Sequence, residues 1–392
     1  HRLLPPGPHD RELIQFGVDH AFVKAEVSAR GRDFTLEARL GRGVRRQLYS
    51  NGVRLKSAGE LSGVLNTVLF CPEDLYLIRE GAATRRRFLD GCICQLRPKY
   101  AEALAEYRRL YEHKVRILRD WEEHPSLLDT LDEFNLRMAQ TGALLIHYRA
   151  HFIRKLAEKA QVIQREFSGG GEELALSYQT VRTVTDPLGP TVTLYEALRE
   201  HQNSHRRAEL EAKSCLSGPH KDDLTVELNG MSAKTFASQG QTRTAALSLK
   251  LASREIFYQE TGEWPVLLLD DVMSELDAAR RRALVAFISG DIQTFITTTN
   301  LAYFDDDLLG GARIVELEKP RKTGEMPDED RMFHVKHSPI DAQPARGEAE
   351  ERDGQPSDPA EQPSARIEGT HEEAGREHQR ADGRAGRRRR RV

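Results

Sequence analysis

Hydrophobic and polar positions alternate between residues 22 and 56, and this period of two predicts strands at Phe22-Val23-Lys24-Ala25-Glu26-Val27, Phe34-Thr35-Leu36-Glu37-Ala38, Arg46-Gln47-Leu48-Tyr49 and Val53-Arg54-Leu55. Asn51-Gly52 supplies two residues that tolerate positive φ, the chemistry of a tight hairpin, so this layer is expected to be antiparallel. A further strand, Asn66-Thr67-Val68-Leu69-Phe70, stops before Pro72, and Pro72-Glu73-Asp74 suits a helix start because the first turn has no use for the N–H that proline lacks. From residue 84 to residue 167 the period becomes helical, with a break at His124-Pro125-Ser126. Tyr100, Leu104, Tyr107, Leu110 and Tyr111 repeat on one face of the first segment; Leu127, Leu131, Phe134, Met138 and Leu145 do so on the second. Two long helices joined by a short turn are expected to pack antiparallel, as an arm or as ordinary core. Ser168-Gly169-Gly170-Gly171 ends the second helix. A strand at Leu174-Ala175-Leu176-Ser177-Tyr178, a helix over residues 193–213 and a last strand at Arg313-Ile314-Val315-Glu316-Leu317 complete the pattern.

The candidate chemistry centres on Val266-Leu267-Leu268-Leu269-Asp270-Asp271, an apolar run that ends in two acids. Such a run fits a parallel strand buried on both faces, and ligands of open α/β sheets bind beyond the carboxyl ends of these strands. Carboxylates placed there can hold Mg²⁺ and polarise a water. Ser274-Glu275-Leu276-Asp277 follows, and its Ser and Asp also fit a capping box that merely starts the next helix, toward Phe287. Upstream, Ser238-Gln239-Gly240-Gln241 opens a helical segment carrying Leu247, Leu251 and Ile256. A helix start offers free N–H groups and partial positive charge, Gly240 admits a phosphate closely, and Ser238 and Gln241 add side-chain hydrogen bonds. The same string also fits an ordinary serine N-cap.

Taken in order, these motifs resemble the ATP-binding-cassette ATPases of chromosome maintenance, and most closely the RecF family. Leu69-Phe70-Cys71-Pro72-Glu73-Asp74-Leu75, Arg85-Arg86-Arg87-Phe88-Leu89-Asp90, Ser217-Gly218-Pro219-His220-Lys221-Asp222-Asp223 and Ile296-Thr297-Thr298-Thr299 are also similar to that family. The resemblance implies an α/β fold: an ABC-type ATPase core of mixed sheet and helices with an inserted antiparallel helical arm. On this basis residues 1–97 and 216–320 form the two parts of the core, 98–215 the arm, and 321–392 a disordered tail. It implies ATP and Mg²⁺ as cofactors, with Asp270 on the metal, Asp271 acting on the attacking water, Ser238, Gln239, Gly240 and Gln241 reaching the γ-phosphate held by a second copy, and Asp277 signalling between copies. Many cassette relatives carry Glu where Asp271 stands and a switch histidine where Thr297-Thr298-Thr299-Asn300 stands. The resemblance further implies an ATP-dependent homodimer on single-stranded or gapped duplex DNA in recombinational repair, slow hydrolysis, recombinase loading, and RecR and RecO as partners.

One departure counts against the match. No G-x-x-x-x-G-K-[ST] phosphate loop occurs in the 392 residues, and Gly230-Met231-Ser232-Ala233-Lys234-Thr235 has Ala where the second glycine belongs, within an expected Asn229-Gly230 hairpin between Leu224-Thr225-Val226-Glu227-Leu228 and Thr235-Phe236. Since the chain begins with His1, the expectation is a fragment of an ATPase; a non-catalytic DNA-binding or partner-binding scaffold is the alternative. A transporter subunit is disfavoured by the helical insertion and the hairpin-rich start.

Composition sets limits. With 39% hydrophobic and 30% charged residues there is material for a large core, and no run approaches the roughly 18 apolar residues of a membrane span, so a cytoplasmic protein without membrane partners is expected. Cys71, Cys92, Cys94 and Cys215 are irregularly spaced and read as packing residues. A net charge of −3 excludes a uniformly basic nucleic-acid binder, leaving local patches: Arg85, Arg86 and Arg87 as phosphate contacts or as structural ties, and Arg387 to Arg391 as a phosphate contact or a solvated run. His220, after a Gly-Pro turn, is expected to stabilise that turn.

Overall fold

The computed structural model describes residues 13–56, 58–61, 64–289 and 292–316. The expected tail, Arg387 to Arg391 within it, lies outside the described residues. Four strands, β1 (His20–Ala29), β2 (Arg32–Gly41), β3 (Val44–Ser50) and β4 (Val53–Arg54), form an antiparallel meander in chain order. Its turns use the positive φ the sequence supplies, Arg30-Gly31 at 52° and 67° and Asn51-Gly52 at 49° and 77°. The Asn51 side chain also accepts from the Thr35 amide at 2.7 Å, locking the register of β2. A second sheet is parallel, with β9 (Val266–Asp270) between β5 (Thr67–Phe70) and β10 (Thr294–Thr297). A third pairs β6 (Leu174–Gln179), β7 (Asp223–Leu228) and β8 (Met231–Ser232) antiparallel.

The helices among the described residues are α1 (Tyr76–Arg79), α2 (Ala82–Leu96), α3 (Pro98–Asp120), α4 (Leu128–Phe167), α5 (Thr191–Ala212), α6 (Ala233–Phe236), α7 (Gln239–Thr261), α8 (Ala278–Ile288) and α9 (Asp306–Gly311). At 40 residues α4 is about 60 Å long. Nothing breaks it, because its one glycine, Gly142, serves close packing: a Cβ there would lie 3.1 Å from Pro219 and 3.2 Å from Leu198. It ends where Gly169 and Gly170 turn left-handed and Gly170 N–H caps the Arg165 carbonyl at 2.8 Å. The pairs Tyr100–Tyr148, Glu106–Arg137 and His113–Phe134 run in opposite senses along α3 and α4, so the two helices are antiparallel as expected.

One continuous apolar core carries Val68 and Phe70 of β5, Tyr100 and Leu104 of α3, Leu145 and Leu156 of α4, Leu247 and Leu251 of α7, and Leu267 and Leu269 of β9. A smaller core joins Ala139, Ala143 and Ile146 of α4 to Leu194 and Leu198 of α5 and to Val181 and Val184. Two expectations are corrected. The hairpin at Asn229-Gly230 forms, but its second arm is Met231–Ser232, and residues 233–236 turn into α6. The run Arg313-Ile314-Val315-Glu316 is no strand: no described strand lies beside it to take up its hydrogen bonds, and Ile314 and Val315 stand half exposed.

A buried polar cluster ties the layers together. The Arg149 guanidinium, 2% exposed, donates to Asp90 Oδ1 at 2.8 Å, to Asp222 Oδ2 at 3.1 Å and to the Pro219 carbonyl at 2.7 Å. Tyr100 Oη donates to Asp90 at 2.5 Å and Tyr178 Oη donates to Asp222. Beside it, Gly218 is at φ 129° with its would-be Cβ 2.2 Å from Tyr107 Oη, so only glycine fits. That hydroxyl meets His220 Nδ1 at 2.8 Å, while His220 Nε2 sits 3.0 Å from the Cys215 carbonyl, which satisfies a neutral imidazole in the expected turn-stabilising role. Burial pushes the His220 pKa down to about 4. All four cysteines are buried and none forms a disulfide, and burial pushes the thiol of Cys71 up to about 12.

Arg149→Met leaves the buried Asp222 without its cation and Asp90 with only the exposed Arg108 at 3.6 Å, and is expected to cost about 3–5 kcal/mol in urea unfolding. Arg165→Met, which breaks an exposed pair with Glu173, should stay within about 0.5 kcal/mol of the parent. For His220 the unfolded state binds the proton more tightly than the folded state, so its contribution to stability is complete above the unfolded pKa near 6.5 and declines as the pH falls toward 4. The urea midpoint should therefore drop over that window, more steeply in the parent than in His220→Gln.

Candidate nucleotide site

The middle strand of the parallel sheet delivers the first half of the site. Leu267 and Leu269 bury on one face of β9, and the strand emerges into solvent at Asp270. Parallel register sets Thr297 of β10 opposite Asp270, and Thr297 Oγ1 donates to Asp270 Oδ1 at 2.5 Å. The chain then turns sharply, with Asp271 left-handed at φ 48°, ψ 28°. For a non-glycine residue this costs about 1–2 kcal/mol, least for Asn and Asp. The turn is held because Asp271 N–H donates to the Thr297 carbonyl at 3.2 Å and to its hydroxyl at 3.1 Å, and Ser274 Oγ donates to the Asp271 carbonyl at 2.8 Å and to Oδ2 at 3.0 Å. Asp271 Oδ1 is buried with no hydrogen-bond partner. Two adjacent carboxylates, one with a buried oxygen that no protein group engages, are hard-oxygen donors of the kind Mg²⁺ takes, so the residues present fit that ion.

The second half of the site is the start of α7. Ser238 is its N-cap in a full capping box: Ser238 Oγ accepts from the Gln241 amide at 3.2 Å and Gln241 Oε1 accepts from the Ser238 amide at 2.8 Å. Ser238 and Gln239 are exposed, Gly240 and Gln241 half-buried, so the turn faces outward. A Cβ on Gly240 would sit 3.6 Å from the Arg280 guanidinium, which ion-pairs with Asp277. Asp277, not Ser274, caps α8, accepting from the Arg280 amide at 2.9 Å; that backbone hydrogen bond, with the Arg280 side chain, lowers the pKa of its carboxyl. Arg243 of α7 ion-pairs with Glu275 and donates to its carbonyl at 3.1 Å. The Ser238–Gln241 turn and Asp277 are thus brought together. No hydrogen bond or ion pair among the described residues joins them to Asp270 and Asp271.

The arginine triplet divides. Arg85 is 4% exposed and donates to both Asp223 oxygens, at 2.7 and 2.8 Å, and to the carbonyls of Leu77, Ile78 and Glu80, so it is withdrawn from any phosphate. Arg86 is half-buried on the Asp222 carbonyl at 2.6 Å, and only Arg87 is exposed. Sequence reasoning missed Thr297 and Ser274 as the hydroxyls that hold the carboxylates, and Arg280 as the neighbour of the glycine turn. The threonine run was noticed, but its use depends on the pairing of β9 with β10. Among the described residues no helix is long and apolar enough to cross a membrane.

A central parallel strand ending in paired carboxylates, with a serine-capped glycine helix start beside it, defines an ABC-type ATPase core of mixed sheet and helices. No protein-family model matches the chain. The DNA replication and repair protein RecF of Acetivibrio thermocellus is 38% identical over 313 residues, covering 80% of this chain and 84% of that protein. RecF of Alkaliphilus oremlandii is 38% identical over 301 residues, covering 76% and 80%. The recombination mediator protein RecF of the RecFOR pathway, solved with ATP, superposes with a TM-score of 0.70 at 33% identity over 76% of this chain and 79% of that one; its counterpart with ATPrS gives 0.71 over 76% and 80%. The chain belongs to the RecF family of DNA replication and repair proteins.

Asp271→Asn keeps the left-handed tolerance and should unfold at a urea concentration at least equal to the parent's, whereas Asp271→Val should cost about 1–2 kcal/mol from the backbone alone. A loss on Asn substitution as large as on Val substitution would show that the carboxylate charge, not the turn, holds this segment.

Proposed function

We propose that the protein is an ATP-gated DNA clamp of recombinational repair, in which two copies close on nucleotide. The reading is supported by two separate features: a carboxylate pair at a strand end, with one buried unsatisfied oxygen on Asp271, and a glycine helix start with exposed polar side chains. Ser238, Gln239, Gly240 and Gln241 of one copy would complete the γ-phosphate contacts of the triphosphate held by the other. Asp270 would hold Mg²⁺, which when bound would neutralise phosphate charge as the bond to the γ-phosphoryl breaks. Asp271 orients or deprotonates the attacking water, and its short side chain suits slow hydrolysis, so that nucleotide times dimerisation. Asp277, bridged to the glycine turn through Arg280, would pass closure from one copy to the other.

Single-stranded or gapped DNA as ligand, RecR and RecO as partners, recombinase loading, a cytoplasmic setting and residues 98–215 acting as an arm belong to the same proposal and rest on family membership. A phosphate loop is required in addition to the residues of this chain; the second reading is a scaffold that binds DNA or protein without ATP chemistry.

The two separate in sedimentation of the full-length protein. ATP with Mg²⁺ should convert monomer to dimer, and Ser238→Arg should weaken that dimer about tenfold or more by filling the phosphate-facing turn. Dimerisation indifferent to the substitution counts against the signature role; failure to bind ATP at all favours the scaffold.

A further inference from the structure

We propose that Thr297 is the positioning residue of the carboxylate pair: its hydroxyl fixes the Asp270 carboxylate and steadies the left-handed turn that aims Asp271. The assignment rests on the nucleotide reading of this site. Thr297 is the last residue of β10 and is exposed, so its hydroxyl could be satisfied by water. Instead its proton goes to Asp270 Oδ1 at 2.5 Å and its oxygen accepts the Asp271 N–H at 3.1 Å. A hydroxyl is the smallest side-chain group that donates and accepts at once, and here both functions are turned on consecutive residues, the last of the neighbouring strand and the first beyond it. The β-branch restricts χ1, so the direction of the hydroxyl is set by the strand itself.

The following polar residues do other work. Thr298 Oγ1 lies 3.2 Å from both the amide and the carbonyl of Asn300, and Asn300 Oδ1 accepts from the Ala302 amide at 2.9 Å, so both close the local turn. Thr297 also has a counterpart across the site, because Ser274 Oγ holds Asp271 Oδ2 at 3.0 Å. Each carboxylate is therefore tethered through one oxygen by a hydroxyl. The other oxygen of Asp271 is buried without a partner, and no hydrogen bond among the described residues engages Asp270 Oδ2. Tethering one oxygen and leaving its twin free is how a carboxylate is oriented without being neutralised, and loss of such outer partners typically costs ten- to a hundredfold in metal affinity or activity.

The test uses the full-length protein with Thr297→Val and Thr297→Ser. Valine keeps the β-branch that suits a strand end, so the fold should survive, and a urea transition that stays cooperative and loses no more than the worth of two hydrogen bonds checks this. Crystal structures should show the Asp270 carboxylate leaving its present rotamer in the valine variant and retaining it in the serine variant. Mn²⁺ affinity in the presence of a non-hydrolysable ATP analogue, read by electron paramagnetic resonance, should fall about tenfold with valine and recover with serine, while analogue affinity in chelator stays level. In turnover the valine variant should lose kcat with KM for ATP unchanged. An unmoved carboxylate pair with unchanged Mn²⁺ affinity overturns the proposal, as does a loss with valine that serine fails to rescue. If the parent protein itself binds no Mn²⁺ with the analogue, the nucleotide reading fails, and the rotamers alone decide whether Thr297 positions the pair.

Discussion

The arrangement of this molecule depends on one buried guanidinium. Arg149 lies midway along α4 and reaches Asp90 on α2, the Tyr100 hydroxyl on α3, the Pro219 carbonyl, and Asp222 just before β7. A charge moved from water into an apolar interior carries a penalty of several kcal/mol that only full pairing offsets, so the cluster is stable in one geometry and poor in every other. Burial pushes the Asp222 carboxyl upward in pKa, against the pull of Arg149, and the Tyr178 hydroxyl shares its load. The consequence is specificity of assembly. Segments distant in sequence, before α3 and after α5, are registered against the same residue of the long helix that separates them.

From that anchor, rigidity passes to the site through α4 and α7. The two helices pack together with Ser248 Oγ donating to Gln164 Oε1 at 2.9 Å inside the core. Lys250, one turn along from the buried Ala246, pairs with Asp74 at 2.8 Å and donates to the Leu69 carbonyl at 2.9 Å, joining α7 to the end of β5. Arg243 ties the first turns of α7 to Glu275. The glycine turn at Gly240 and the carboxylates at the end of β9 therefore sit on two elements of a single packed body, not on free loops. Constellations carried on such elements hold their geometry more closely than loops do.

Much of this was legible in the sequence, because much of it is periodic. The meander, the antiparallel pair α3 and α4, the glycine stop after Phe167 and the buried strand before Asp270 all follow from spacing and turn chemistry. Arg149 was not legible, since a charged residue inside a long helical pattern reads as surface until its partners from α2 and the Pro219 turn are known. Arg85 was open between two roles for the same reason, and Asp223, its partner, is 138 residues away. The expected strand at Arg313 failed from the opposite cause: alternation announces that a segment can pair, but not that a neighbour is present. At the candidate site, residue types located the two turns, while the hydroxyls that hold the carboxylates became visible only once β9 and β10 were in register.

The strained turn at Asp271 shows why the site is built as it is. A left-handed aspartate with one buried, unpaired oxygen is unfavourable twice over, in backbone and in desolvation, and glycine would relieve the first while deletion of the carboxylate would relieve the second. The fold tolerates both because the neighbouring strand and Ser274 hold the turn from either side. Strain kept in place by its surroundings is characteristic of positions where a ligand supplies the missing partner.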